Sequence, residues 1–203
     1  MRNVSIALVA SLVISSVAMA GPLVGYPLAY DGWTGSVLMD SGSGLTVNVD
    51  YCVYGPGNSP WSDPNFTPAA NQFTYVYQAY STGTIELNSL TIGMLDSNEA
   101  QGIGSIDLGT SGVAPASAAF GNVPPNLDSA NWSWASLGGL TNQHSSGMVY
   151  YSVNEPLWWF GSIKNDTQTA SGFLPSPSDV IPEPATLSLL LAGAVLGLRR
   201  RKR

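Results

Sequence analysis

The sequence predicts an all-β domain, a two-layer antiparallel sandwich, with a short apolar segment at each end of the chain. Three observations predict it. Between Gly21 and Asp179 apolar residues recur mostly at period two, the spacing of strands that bury one face. These runs are short and broken by Gly, Pro and Asn, the residues of turns and loops. No amphipathic helix is found in that interval.

Taken in order, Arg2 precedes an uncharged stretch, Val4 to Ala18, which ends in Ala18-Met19-Ala20 before Gly21. A cation, a short apolar segment and a small-x-small site make a secretory signal peptide of residues 1–20, a substrate of signal peptidase. No Cys follows the cleavage point, so this is not a lipoprotein leader. Gly32 to Met39 supplies a first strand. Leu45 to Tyr54 puts Leu45, Val47, Val49, Tyr51 and Val53 on one face and Thr46, Asn48, Asp50 and Cys52 on the other, a half-buried strand. Residues 55–71 form a long Gly/Pro/Asn/Ser loop. Phe73 to Tyr80 alternates again. In Thr84 to Leu95, Ile85 and Leu87 have one parity and Leu90, Ile92 and Met94 the other, so a bulge or kink is expected near Asn88 and Ser89. Ile103–Leu108, Met148–Val153 and Leu157–Ile163 complete the strands; 109–130 and 138–147 read as turns. Leu174-Pro-Ser-Pro-Ser-Asp179 reads as an extended Pro/Ser linker.

The stretch from Gln78 to Met94, with Ser81-Thr82-Gly83 at its turn, resembles immunoglobulin-like export domains, in which a strand ends at a Thr-Gly turn and a second apolar strand follows. The resemblance implies topology alone, an immunoglobulin-like antiparallel β-sandwich.

At the C-terminal end Ile181-Pro182-Glu183-Pro184 precedes an apolar run, Ala185 to Leu198, and five cations, Arg199, Arg200, Arg201, Lys202 and Arg203. Pro182 and Pro184 fix their own φ and push Ile181 and Glu183 toward extended conformations. The result is a stiff, unpaired peptide suited to a processing cleft. The apolar run would make about 21 Å of helix against a hydrocarbon core of roughly 30 Å. The terminal cations suit a cytoplasmic stop in which long side chains reach the headgroups. Val180 to Leu187, the short helix and the Arg cluster together resemble a PEP-CTERM sorting signal. That resemblance covers about the last 24 residues. It implies export in a Gram-negative-type bacterium, an inner-membrane-anchored precursor and recognition by exosortase, a membrane transpeptidase or protease. It also implies a mature form at the cell surface or outside the cell, in the setting of exopolysaccharide and biofilm matrix. It implies a destination and no activity. The organisation read from the sequence is therefore signal peptide 1–20, acidic ectodomain 21–173, linker 174–180 and sorting signal 181–203.

Lys164 is the lone cation between Arg2 and the tail and faces twelve acids, so residues 21–182 carry about −11. Such a surface repels nucleic acid and anionic lipid; no nucleic-acid partner is expected. Cys52 is the single cysteine, so no intramolecular disulfide is available and packing must hold the fold. Its strand setting predicts a small buried side chain.

No motif of catalysis emerges, and the domain is read as non-enzymatic. HExxH, CxxC and GxSxG are absent, and the one histidine, His144, sits beside Ser145 and Ser146 in a loop, whereas a triad is assembled from separate segments. One His and one Cys cannot build a zinc site. Asp96-Ser-Asn-Glu99, Asp40 with Ser41, and Asn165-Asp166 offer oxygens of the kind calcium takes, without EF-hand spacing. No cofactor is expected, calcium being the one cation these oxygens suit. The six tryptophans admit two readings, a β core or rings that stack on sugars. Trp132 and Trp134 share one strand face, while Trp158 and Trp159 fall on opposite faces, so one of the latter pair should be exposed. These four are the candidate ligand-stacking residues. The remaining candidates are Ala18, Ala20 and Gly21 for leader cleavage, Pro182, Glu183 and Pro184 for sorting, and Arg199 to Arg203 for the stop. Two functions follow: an exosortase-sorted surface or matrix protein, and a carbohydrate-binding module using exposed Trp, with or without calcium.

Overall fold

A computed structural model of the chain describes residues 23, 29–58, 66–94, 100–123 and 127–177. The segments read from the sequence as a signal peptide and a sorting signal lie outside these residues, as do Trp61 and the Asp96–Glu99 cluster. No helix among the described residues is long and apolar enough to cross a membrane.

Ten strands are described: β1 (Ala29–Asp40), β2 (Thr46–Tyr54), β3 (Phe73–Ser81), β4 (Ser89–Met94), β5 (Ala100–Ile106), β6 (Ser117–Val123), β7 (Leu127–Ser133), β8 (Gly147–Ser152), β9 (Pro156–Lys164) and β10 (Thr169–Pro177). They form two five-stranded sheets, β1-β2-β3-β8-β5 and β10-β9-β4-β7-β6, with every pairing antiparallel. The all-β sandwich expected from period-two patterning is thus observed. Strands β2, β3, β8 and β9 fall where alternation predicts them.

The inner faces meet in one apolar core. Val47, Val49 and Val53 of β2, Tyr75, Tyr77 and Ala79 of β3, and Met148 and Tyr150 of β8 pack against Leu90, Ile92 and Met94 of β4, Ala130 and Trp132 of β7, Ile163 of β9 and Leu174 of β10. The Tyr77 and Tyr150 hydroxyls lie 2.8 Å apart inside this core, and the Tyr77 hydroxyl donates to the Pro175 carbonyl of β10. Tyr150 stacks on Tyr75 with ring centroids 5.1 Å apart and on Trp132 at 6.0 Å.

The parity break between Leu87 and Leu90 is a change of sheet. The chain leaves β3 through Ser81-Thr82-Gly83, and the Thr82 and Gly83 N–H groups both donate to the Thr46 carbonyl at 3.0 and 3.1 Å. A Cβ on Gly83 would stand 2.1 Å from the Gly44 carbonyl oxygen, so only glycine passes here. Leu87 exchanges two 2.9 Å backbone bonds with Leu140, and β4 begins two residues later.

Three expectations are corrected. First, β2 is buried on both sides. Cys52 and Tyr54 join Val76, Ile106, Val149 and Tyr151 in a second apolar cluster on the outer face of the first sheet, partly covered by Phe66 and Leu108. Asp50, expected on the solvent face, is wholly buried and accepts bonds from Ser36 Oγ at 2.5 Å and Asn48 Nδ2 at 3.0 Å. Second, 109–130 is not turn alone: it holds β6 and part of β7, built from Ala, Ser, Gly and Asn, which carry little strand propensity. Third, the segment read as a linker from Leu174 begins as strand. Leu174 to Pro177 pair with Trp159 to Pro156 and are all buried. Pro175 and Pro177 are tolerated because β10 borders its sheet and needs no donors on its outer side. Cys52 is fully buried, as expected, and burial raises its thiol to about 11.

Burial, and then the neighbouring phenol, raises Tyr77 well above the ordinary tyrosine range; burial likewise raises Tyr150, partly offset by its bonds to Tyr77 and Ser176. The unfolded chain therefore releases these protons first. Their contribution to stability should hold below about pH 10 and decline above it. Tyr77→Phe strands the Tyr150 hydroxyl and the Pro175 carbonyl, and should lower unfolding free energy by about 1–3 kcal/mol at neutral pH. Urea unfolding of both proteins from neutral to alkaline pH checks this, and an unchanged midpoint would refute the structural role of the pair.

Candidate functional site

The outer face of the second sheet is the most unusual surface described. It follows from alternation. Leu90 and Ile92 of β4 are fully buried, so Ser89 and Thr91 point outward; Trp132 and Ala130 of β7 do the same for Ser133 and Asn131. Pairing registers align these residues in cross-strand rows. One row runs Ser117, Ser133, Ser89, Lys164, Thr169, and the next Ala119, Asn131, Thr91, Ser162, Ser171. Five strands at about 4.8 Å spacing span roughly 19 Å. Asn131 Nδ2 donates to Thr91 Oγ1 at 2.7 Å, fixing two neighbours in the second row. Neither row contains a carboxylate, although the domain is strongly acidic, and one contains Lys164.

Aromatic rings border this face on β9 and β10. Phe160 and Phe173 are cross-strand partners with centroids 4.8 Å apart, and are 57% and 54% exposed. Trp159 meets Phe160 edge-on at 5.7 Å and packs on Gly93, where an added Cβ would stand 3.2 Å from the indole. Trp158 is 46% exposed and leans across the seam between the sheets, 5.0 Å from Trp33 and 5.6 Å from Tyr51. A break in β1 accompanies that contact. Asp31 and Gly32 adopt positive φ of 45° and 76°, and the register shifts between Ala29 and Thr34, around Trp33.

Trp158 thus meets the expectation that one of the 158/159 pair is exposed, while Trp159 is half-buried. Trp132 and Trp134 are corrected. They share a face as expected, but it is the inner one; both are fully buried. Their indole N–H groups donate to the Gly104 and Val113 carbonyls at 2.7 and 3.2 Å, which satisfies the one polar atom a buried indole carries. Phe160 and Phe173 were not anticipated. The parity of β9 signals Phe160, since Ile163 and Gly161 face inward; Phe173 becomes visible only once β10 is known to be a strand.

The other sequence candidates are engaged locally. His144 Nε2 lies 2.7 Å from the Thr110 carbonyl and its ring stacks on Tyr80 at 5.5 Å. The Ser145 hydroxyl accepts the Ala79 N–H at 2.9 Å. Burial, then the Asp50 charge, raises Tyr80 to about 12. Asp40 Oδ1 accepts from the Gly42 N–H at 2.8 Å and Thr46 Oγ1 at 3.1 Å; Asp166 Oδ1 accepts from Asn88 Nδ2 at 3.0 Å. The Asp40–Gly42 bond is a turn role, and the Asp166–Asn88 bond ties two separate segments together. Among the described residues no three His, Cys, Asp or Glu side chains gather as a metal site.

Compared with known proteins, the chain matches no family model, no curated protein and no solved structure.

The buried and exposed rings should separate cleanly by mutation. Trp132→Ala should cost about 3–5 kcal/mol of stability, whereas Phe160→Ala or Phe173→Ala should cost about 1 kcal/mol or less, the worth of a cross-strand pair. Guanidinium unfolding of the three variants measures both. A large loss for the phenylalanines would make them core residues and remove the face from consideration.

Proposed function

We propose that this chain is an exported, exosortase-sorted, non-enzymatic protein, displayed at the cell surface or released into the extracellular matrix after its tail is processed. The observation that carries this reading is the order of signals at the two ends. A cleavable leader ends at Ala18-Met19-Ala20, and Pro182-Glu183-Pro184 is followed by an apolar run and Arg199 to Arg203. Signal peptidase and exosortase are the implied processing partners, and the inner membrane holds the precursor. Strand β10 ends at Pro177, four residues short of Pro182, so the sorting peptide follows the sandwich closely. The immunoglobulin-like reading of the sandwich is part of the proposal. The Thr-Gly passage from β3 to β4 supports it.

Pro182→Ala with Pro184→Ala should leave export intact and block tail removal. Intact mass of protein from membrane, surface and medium fractions reads the outcome. Wild type should begin at Gly21 and end near Pro182 to Pro184, and the variant should retain Arg199 to Arg203. Tail removal that proceeds unchanged in the variant would sink the sorting assignment.

A second reading, carbohydrate binding, is favoured by the exposed Phe160–Phe173 pair and Trp158 beside rows of hydroxyl and amide side chains. Rings offer apolar faces to sugar C–H surfaces, and hydroxyl rows exchange hydrogen bonds with sugar hydroxyls. A net charge near −11 opposes acidic polymers, so the class is a neutral polysaccharide. Dextran and other neutral glucans should change tryptophan fluorescence in wild type and have no effect in the Phe160→Ala/Phe173→Ala double variant. An equal response in both proteins would reject this face.

A further inference from the structure

Four strands border the two sheets: β1 and β5 in the first, β10 and β6 in the second. A bordering strand exposes unpaired N–H and C=O groups that template another strand unless a bulge, a proline, a charge or a cover intervenes. Three of the four carry such a device. β1 is bulged between Ala29 and Thr34 and lies against β10 on one side of the sandwich. β10 carries Pro175 and Pro177. β5 is broken between Gln101 and Gly104, with Gly102 at a φ of 63°.

β6 carries none. Its sequence, Ser-Ala-Ala-Phe-Gly-Asn-Val, contains no proline and no charge. It pairs with β7 residue for residue, from Ser117↔Ser133 to Val123↔Leu127, without a register shift. Seven such residues give about 23 Å of straight edge. Ser117 and Ala119 are exposed, and the Phe120 ring turns toward Tyr150 at 6.3 Å, away from the edge. Among the described residues β7 is the one strand paired with it.

We infer that β6 is a self-association edge, at which a second copy of this chain adds its own β6 antiparallel across a two-fold axis. The two second sheets then join as one ten-stranded sheet. A second copy fits best because an antiparallel strand is its own complement under a two-fold rotation. The same donors and acceptors meet on both sides without further sequence design. The described side chains of β6 at Ser117, Ala118, Ala119 and Gly121 are small and leave room for close approach. Charge makes a distinguishing demand. Each domain carries about −11, with none of it on β6, so pairing gains no ion pair and meets only long-range repulsion. Association should therefore strengthen with salt, as the screening length falls from about 30 Å near 10 mM to about 8 Å near 150 mM.

Sedimentation velocity of the purified chain over a concentration series, in detergent so that an apolar tail adds no association of its own, tests this at both salt levels. Hydrogen exchange is followed in the same samples. The expected result is a monomer–dimer equilibrium that tightens with salt, with β6 amides gaining protection as concentration rises. Ser117→Lys with Ala119→Lys should weaken dimerisation at least about tenfold and abolish that gain, while the thermal midpoint of the dilute monomer stays in place. A chain that stays monomeric at every concentration and salt overturns the inference. So does a dimer in which β6 exchange is independent of concentration, a readout that needs no variant, or one that the lysines leave intact. Tight capture of a different protein by β6 with no self-association would likewise overturn it.

Discussion

Tyr150 and Tyr77 meet hydroxyl to hydroxyl at 2.8 Å in the middle of the core, and Tyr77 hands its own proton on to the Pro175 carbonyl. The direction is forced. A carbonyl can only accept, so Tyr77 donates to it and Tyr150 donates to Tyr77. This relay crosses from the first sheet to the last strand of the second. It matters because the chain has one cysteine and no disulfide to draw on. Three rings gather around the Tyr150–Tyr77 pair: Tyr75, Trp132 and Phe120. Aromatic burial supplies the apolar area, and the relay makes one arrangement of those rings better than its neighbours.

From that constraint the outward surfaces follow. Holding Pro175 against Tyr77 sets where β10 lies on β9, and the β9–β10 register sets Phe173 beside Phe160. Burying Trp132 between Tyr77 and Tyr150 fixes the parity of β7, which sends Asn131 and Ser133 outward. The hydroxyl-lined face and its aromatic border are thus the reverse side of the core packing. The proposed cellular role draws on separate parts of the chain, the two terminal segments read as a leader and a sorting signal. The proposed sorting role concerns where the protein is sent, and the proposed carbohydrate reading of the face concerns what it meets there.

Much of the architecture could be read from sequence wherever side chains alternate strongly. Val47, Val49, Tyr51 and Val53 define β2 on inspection, and Tyr75 and Tyr77 define β3. The strands that escaped are those whose residues are chosen for position more than propensity. β6 and β7 use Ala, Ser, Gly and Asn because they present small groups on one side and few large ones on the other. β10 uses two prolines that only a border strand accepts. Missing β10 hid the Phe160–Phe173 pair, since partnership across strands is invisible until both strands are known. Trp132 and Trp134 show a different limit. Parity tells which residues share a side, and only the packing of the opposite sheet tells which side is inside. Asp50 departs from the expected solvent face for the same reason, because the outer face of the first sheet is itself covered.

The position of β10 also determines how the fold would bear a mechanical load. A pull transmitted at Pro177 enters the sandwich through this strand. Pro175 and Pro177 fall at positions where the β10 backbone nitrogens face away from β9, so they take no bond from that ladder. Two further bonds reinforce that end, the Tyr77 hydroxyl to the Pro175 carbonyl and the Ser176 hydroxyl to the Gly93 carbonyl at 2.6 Å. Together they form a latch within three residues of the exit. A tension that failed to open it would be carried along the length of β9 and β10 in shear, the direction in which an antiparallel ribbon is strongest because its bonds must break together.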